Sequence, residues 1–235
     1  MRSRARAWMQ DCRRMPPRRK SASVDEPDLP ELEPLPLASV LDRDGLILDG
    51  ALVALDSPER IAVRRIRISE SSIRGLTIEP CRAAEFRLHD AVVHGCDLSN
   101  VDAGEGSIRR VQITNCKLVG LALAGAAVQD LSVVDSSLAL ASLAAADLRD
   151  VVFENVDLRE ASFQHATLER VQFIGCELTG ADFRDVVVKG CAIRGSSLDG
   201  VIGIESMAGI TMEWSDLVAS AGALAEALGI RIAEE

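Results

Sequence analysis

The sequence predicts an all-β solenoid, and three observations lead there. A five-residue period runs in one register, without insertion or deletion, through 29 pentads from Ile61 to Glu205. The third place of the pentad is Val, Ile, Leu or Phe in 26 of those 29, the exceptions being Ala83, Ala103 and Gly203, and the first place is small or apolar throughout. All 35 charged residues of the stretch fall at the second, fourth or fifth place. Burial is what excludes charge from the other two.

The spacing has a direct physical reading. First and third residues sit two apart, so on an extended backbone they point the same way, and each pentad is one short strand-like side. The fifth place is often Gly or Asn, as at Gly75, Gly95, Asn100, Asn115, Gly120, Gly125, Gly175 and Gly180. These residues tolerate turn geometry, so the chain bends once per pentad. A chain that bends every five residues and buries the same two positions each time winds around a narrow interior.

The pentads ADLRD, VDLRE, CELTG and ADFRD resemble the A(D/N)Lxx consensus of the pentapeptide-repeat proteins. The resemblance implies a right-handed quadrilateral β-helix, four pentads per coil, with first and third side chains inside, to which the sequence adds a C-terminal capping α-helix. At ~4.8 Å of rise per coil, the array makes about seven coils and a rod on the order of 35 Å long. With 20 residues per coil, Phe153 stacks under Phe173 and Phe163 under Phe183. Phe86, at a first place, is expected to turn inward and fill the space left by the undersized Ala83, Ala103 and Gly106.

The ends of the chain differ from the array. Residues 1 to 20 hold eight bases against one acid, and residues 21 to 60 hold ten acids against two bases. Residues 1–40 are read as a disordered arm, basic and then acidic and Pro-rich. Residues 41–60 form an imperfect N-terminal coil, since LILDG and ALVAL keep the pentad spacing until Pro58 interrupts it. The β-helix covers 61–205. Residues 206–235 form a C-terminal cap, with a helix at about 215–228 that has Ser215 as N-cap, an apolar stripe including Leu217, Val218 and Leu224, and Gly229 as its stop. Its expected role is to cover the open end of the solenoid. Some relatives use this terminus for a dimer contact, so monomer and homodimer both stand.

Composition narrows the function. Aromatic residues make up 3% of the chain and Tyr is absent, which suits a narrow core. No apolar run approaches the ~20 residues needed to span a bilayer, and the Arg-rich start leads into SASVDEPDLPELE, so no membrane association is expected and cytoplasmic residence is. Cys81, Cys96, Cys116, Cys176 and Cys191 all occupy first places and read as small core residues. Their spacings match no zinc pattern, and His89, His94 and His165 face outward at scattered places. No nucleophile, phosphate-loop, metalloprotease or dinucleotide motif is present. The expectation is a non-enzymatic protein without metal or cofactor.

The remaining reading is a protein–protein interaction scaffold for an unidentified protein partner. Arg outnumbers Lys by 23 to 3, and with its acidic, Pro-containing leader the chain is similar to the pentapeptide-repeat proteins of actinobacteria. The family also implies an alternative, a DNA-mimicking modulator of DNA gyrase that inhibits the enzyme or protects it from quinolones. One side of the coil carries Glu79, Asp97, Asp157, Glu160, Glu177 and Asp199 against Lys117 and Arg159. The side starting at Ile66 carries seven bases, including Arg109 and Arg110, against six acids, unlike a duplex. The rod itself is not expected to bind nucleic acid. SSLAL and ASLAA place Ala139, Leu140, Ala144 and Ala145 outward as an apolar strip, which is the other candidate contact.

Overall fold

A computed structural model describes residues 24–42, 44–227 and 229–230. Fourteen strands form one sheet: β1 (Glu33–Pro34), β2 (Leu41–Asp42), β3 (Gly45–Asp49), β4 (Ala51–Ile61), β5 (Arg65–Ile78), β6 (Glu85–His94), β7 (Ser107–Thr114), β8 (Ala127–Val134), β9 (Asp147–Glu154), β10 (Thr167–Glu169), β11 (Gln172–Ile174), β12 (Val187–Lys189), β13 (Ala192–Arg194) and β14 (Thr211–Met212). Apart from the β2–β3 hairpin, the pairings are parallel. From β5 to β13 each strand pairs with residues 20 further on: Leu88 lies between Ile68 and Ile108, and Val133 between Ile113 and Phe153; the last pairing, Ala192 with Thr211, is 19 apart. The protein is a parallel β-solenoid with 20 residues, and hence four pentads, per coil.

We call the sides A to D, beginning with the pentads at Ile66, Ser71, Leu76 and Cys81. Sides A and B carry the strands, while C and D join successive coils through single bridges such as Asp97 to Lys117 and Asp102 to Ala122. From Asp90 to Gly200 every fifth place except Glu105 has positive φ, and at that corner the turn moves to Gly104. The left-handed conformation turns the chain, which is why Gly and Asn recur there.

The core follows the sequence expectation. Phe153 and Phe173 stack with centroids 5.4 Å apart, and Phe163 and Phe183 with centroids 4.8 Å apart. Phe86 is buried, and a Cβ added to Gly106 would lie 3.1 Å from its ring, so the phenyl occupies the space that the small residues leave. The first-place cysteines are free thiols. Burial pushes the Cys176 thiol up to about 11.

Three expectations at the ends need correction. Ile61 sits beside Ile78 on side C, whereas the pentad register would set it beside Cys81 on side D. Between Ala54 and Glu59 the first coil shifts register against β5. Its side D is then short, running from the Ile61 carbonyl, bonded by Glu79 N–H, to the Arg64 carbonyl, bonded by Ala84 N–H. A shallow recess lined by Arg64, Pro80 and Cys81 results.

The arm expected to be disordered through residue 40 is seated on the rod over its described part, because Leu32, Leu37 and Val40 bury themselves against the first coil and β1 pairs with Ala51 and Leu52. Upstream, the Asp28 and Asp25 amides donate to the Asp90 and Asp130 carboxylates, each at 3.3 Å. Residues 1–23 lie outside the described residues.

At the other end, the expected helix is two short ones, α1 (Trp214–Ala219) and α2 (Ala221–Ala227), broken at the buried Ser220. The N-cap is Glu213 in place of Ser215. Leu217 and Val218 are exposed, so of the three stripe residues only Leu224 packs on the rod. Ile204 and Met207 of a 3-10 turn are buried at that end, with Ile210, Met212 and Leu224 packed on the core.

Candidate interaction surface

Side C brings the six predicted acids onto one side of the rod and separates them into two groups. Its second places stack as Thr77, Asp97, Lys117, Ser137, Asp157, Glu177 and Ser197. Glu79 and Asp97 lie toward one end; Asp157, Glu160, Glu177 and Asp199 lie toward the other. Asp157 accepts from Arg159 Nε at 2.9 Å and Nη2 at 2.8 Å, and from the Ser137 hydroxyl at 3.3 Å. The Arg159 bonds hold its carboxyl below the ordinary range. Glu177 accepts from the Thr179 hydroxyl, and Asp97 from the Ser99 amide at 3.0 Å. Glu79, Glu160 and Asp199 are exposed.

The gap between the groups is apolar. Leu140 forms the corner between sides C and D at φ 61° and is 57% exposed. Its ladder neighbours at that corner are Asn100, Gly120, Glu160, Gly180 and Gly200, all at positive φ. Ala145 forms the next corner at φ 56° and is exposed, with Ala139 and Ala144 half-buried beside the pair. The four residues adjoin at these two corners, and the uncharged surface around them is wider than the four alone. One coil earlier, Val119, Gly120, Ala122, Ala124 and Gly125 occupy the same places, as the LALAG pentad could have signalled. Lys117 marks one edge. Acids rim the patch along the rod: Asp97, Asp102 and Glu105 before it, Asp157, Glu160 and Asp182 after it. Asp182 binds Arg184 Nη2 at 2.6 Å and is held below the ordinary carboxylate range by that contact.

Sequence reading missed a second charged feature, the corner between sides A and B. There Asp90 forms a two-pronged pair with Arg110, and Asp150 with Arg170 at 2.6 Å on both oxygens. Opposite charges at fifth places 20 apart are the signal. Among the described residues, no group of three His, Cys, Asp or Glu is arranged to hold a metal, and no helix is long and apolar enough to cross a membrane.

The family description "pentapeptide repeat region" matches residues 106–183 and 134–202. Residues 106–202 of the array are a pentapeptide-repeat region. Solved pentapeptide-repeat structures are similar in turn. Full-length QnrB1, a plasmid-mediated fluoroquinolone resistance protein, is 18% identical over 79% of this chain and 100% of its own, with a TM-score of 0.43. HetL, involved in heterocyst differentiation regulation in the cyanobacterium Nostoc sp. strain PCC 7120, is 19% identical over 72% of this chain and 82% of its own, with a TM-score of 0.35. Rfr23 from the cyanobacterium Cyanothece 51142 is 15% identical over 57% and 86%, with a TM-score of 0.15. No curated protein matches the chain.

Proposed function

We propose that this protein is a non-enzymatic, cytoplasmic protein–protein interaction scaffold, and that its contact surface is the uncharged patch centred on Leu140. The observation that carries the reading is the cost of that residue. A side chain with a Cβ in the left-handed region costs roughly 1–2 kcal/mol, and the apolar surface of Leu140 stays in water. A glycine, as at the Gly120 corner one coil earlier, would make the same turn without either cost. Strained and exposed apolar residues are retained where they bind. A photo-crosslinking side chain at Ala144 tests this in cells. Discrete adducts to another protein, absent when the same group is placed at Asp49, support the scaffold; identical adducts from both positions overturn it.

A second reading, a DNA-mimicking modulator of DNA gyrase, draws on the group Asp157, Glu160, Glu177 and Asp199. Duplex DNA carries one negative charge per ~1.7 Å of axis. Side C departs from this at its uncharged centre, and Arg159 neutralises Asp157, which ranks the scaffold first. Gyrase supercoiling with and without quinolone decides it. Inhibition or protection that disappears when Asp157, Glu160 and Glu177 are changed to Lys supports mimicry, and no effect at micromolar protein removes it.

A further inference from the structure

The rim of the patch constrains what can cover it. Over the five coils from Asp97 to Asp185, sides C and D carry eight acids against three bases, Lys117, Arg159 and Arg184. Both arginines are already engaged, by Asp157 and by Asp182. A surface of this sign repels nucleic acid and anionic lipid alike. A second copy laid antiparallel across the same face would set Asp97, Asp102 and Glu105 of one rod against Asp157 and Glu160 of the other, and like charges opposed across a contact are unfavourable. The complementary occupant is a protein segment that brings its own positive charge to both ends of an apolar centre.

Two of the acids are placed to receive that charge. Glu105 and Glu160 are exposed and make no ion pair among the described residues, whereas Asp102 has Arg82 at 3.7 Å and Asp97 stacks beside Lys117. Glu105 stands at the corner between sides D and A, and Glu160 at the corner between C and D, next to Leu140 on its ladder. They are three coils apart, ~14 Å along the rod at ~4.8 Å per coil, so the line joining them crosses the patch diagonally over Gly125, Ala144 and Leu140. A Cβ added to Gly125 would lie 3.5 Å from Glu105 Cγ, which shows that Glu105 leans over the patch. The other diagonal ends on Asn100 beside Lys117 and on His165. It offers a base no free carboxylate.

We propose that the partner docks on the patch as one short segment, with apolar side chains against Leu140 and Ala144 and an Arg or Lys on each side, one base meeting Glu160 and the other Glu105. The two bases are then at least ~14 Å apart, the axial spacing of the three coils. The proposal rests on reading the patch as a contact surface, and it adds the partner's chemistry and the line along which the segment lies.

The photo-crosslinking side chain at Ala144, carried in the full chain, tests the occupant as well as the surface. Glu105→Lys and Glu160→Lys should each lower the yield of foreign adducts several-fold, and together abolish them. Asp49→Lys, the same change of charge on the first coil, should leave the yield as it was, because exposed charges beyond a Debye length of about 8 Å are screened. Sequencing the adducts should find an Arg or Lys on both sides of an apolar centre. All three replaced side chains are exposed, so the variants fold, which circular dichroism checks. Foreign adducts that persist in both Glu variants, or whose sequence lacks either base, overturn the proposal and keep the scaffold. An equal fall in Asp49→Lys also overturns it, since net charge alone would then attract the partner. Adducts to a second copy overturn it and assign the patch to self-association. Identical adducts from a crosslinker at position 49 remove the scaffold and the segment together.

Discussion

The backbone N–H of Cys116 donates to the hydroxyl of Ser136, 20 residues later, at 3.0 Å inside the core. The arrangement recurs: Ala51 N–H to Ser71 Oγ, Cys176 N–H to Ser196 Oγ, Cys96 N–H to Cys116 Sγ and Val171 N–H to Cys191 Sγ. At these five positions on sides B and C, the first-place amide of one coil is met by a side-chain acceptor from the next. Serine inside an apolar core is thereby explained, since an unmet buried amide costs more than a hydroxyl with a partner. The Ser136 hydroxyl in turn donates to the Val134 carbonyl at 2.8 Å.

Replacing Ser136 by Val therefore removes an acceptor while adding apolar volume. Leaving the Cys116 amide unmet should cost about 1–3 kcal/mol. Ser136→Cys, which restores an acceptor of the kind used at Cys96, should recover much of this loss. Urea unfolding of the two variants is the check, and equal midpoints would remove the acceptor role.

The contact between Phe86 and Gly106 predicts a coupled pair. A Cβ at Gly106 would meet Phe86 Cδ1 at 3.1 Å and the Phe86 carbonyl at 3.2 Å, so Gly106→Ala overpacks the coil and should cost roughly 1–3 kcal/mol. Phe86→Leu yields ring space at that point. The double variant should then be less destabilised than the sum of the singles, by about 0.5 kcal/mol or more. Strict additivity in thermal unfolding would show that the methyl is accommodated elsewhere.

These positions also show what is legible in a repeat sequence. In or out is a matter of burial, so the Phe153/Phe173 stack and the inward turn of Phe86 follow from a count of twenty. Which neighbour the backbone bonds is not a matter of burial. Cys116 and Ser136 read alike as small core residues, and their role as acceptors is invisible until the coils are stacked. Ile61 and Val63 satisfy the apolar pattern of a pentad although the chain has already shifted register before them. Leu32, Leu37 and Val40 lie in a Pro-rich acidic stretch that resembles disorder, and only the open end of the first coil gives them something to cover. At Leu140 the pattern located the apolar strip, while its left-handed φ, which makes the residue costly, needed coordinates.

Asp90 and Arg110 give a pH prediction. Hydrogen bonding to Arg110 is the main cause holding the Asp90 carboxyl below its ordinary value, with the Asp28 amide adding to it. A depressed carboxylate contributes stability that is fully present above its unfolded pKa, about 3.9, and lost as pH falls through the folded value. Acidification through that window should loosen residues 24–30 before the coils open, because protonated Asp90 no longer holds the Asp28 amide. Hydrogen exchange at Asp28 should rise there ahead of exchange at Ile108, whereas Arg110→Ala should move the rise to higher pH. Simultaneous exposure of both amides would show that the leader and the rod open as one unit.

Leu140 separates stability from binding. Leu140→Gly relieves the left-handed strain and should raise stability, by up to about 1 kcal/mol once the greater chain entropy of glycine is subtracted. The same change removes the side chain around which the patch is built, so adducts formed at Ala144 should fall even as the melting temperature rises. A residue kept for packing would behave in the opposite way, losing stability on truncation and leaving the contacts of its neighbours alone. Measuring both properties on one variant therefore distinguishes a retained binding residue from a tolerated one: unchanged adducts with raised stability would identify Leu140 as drift.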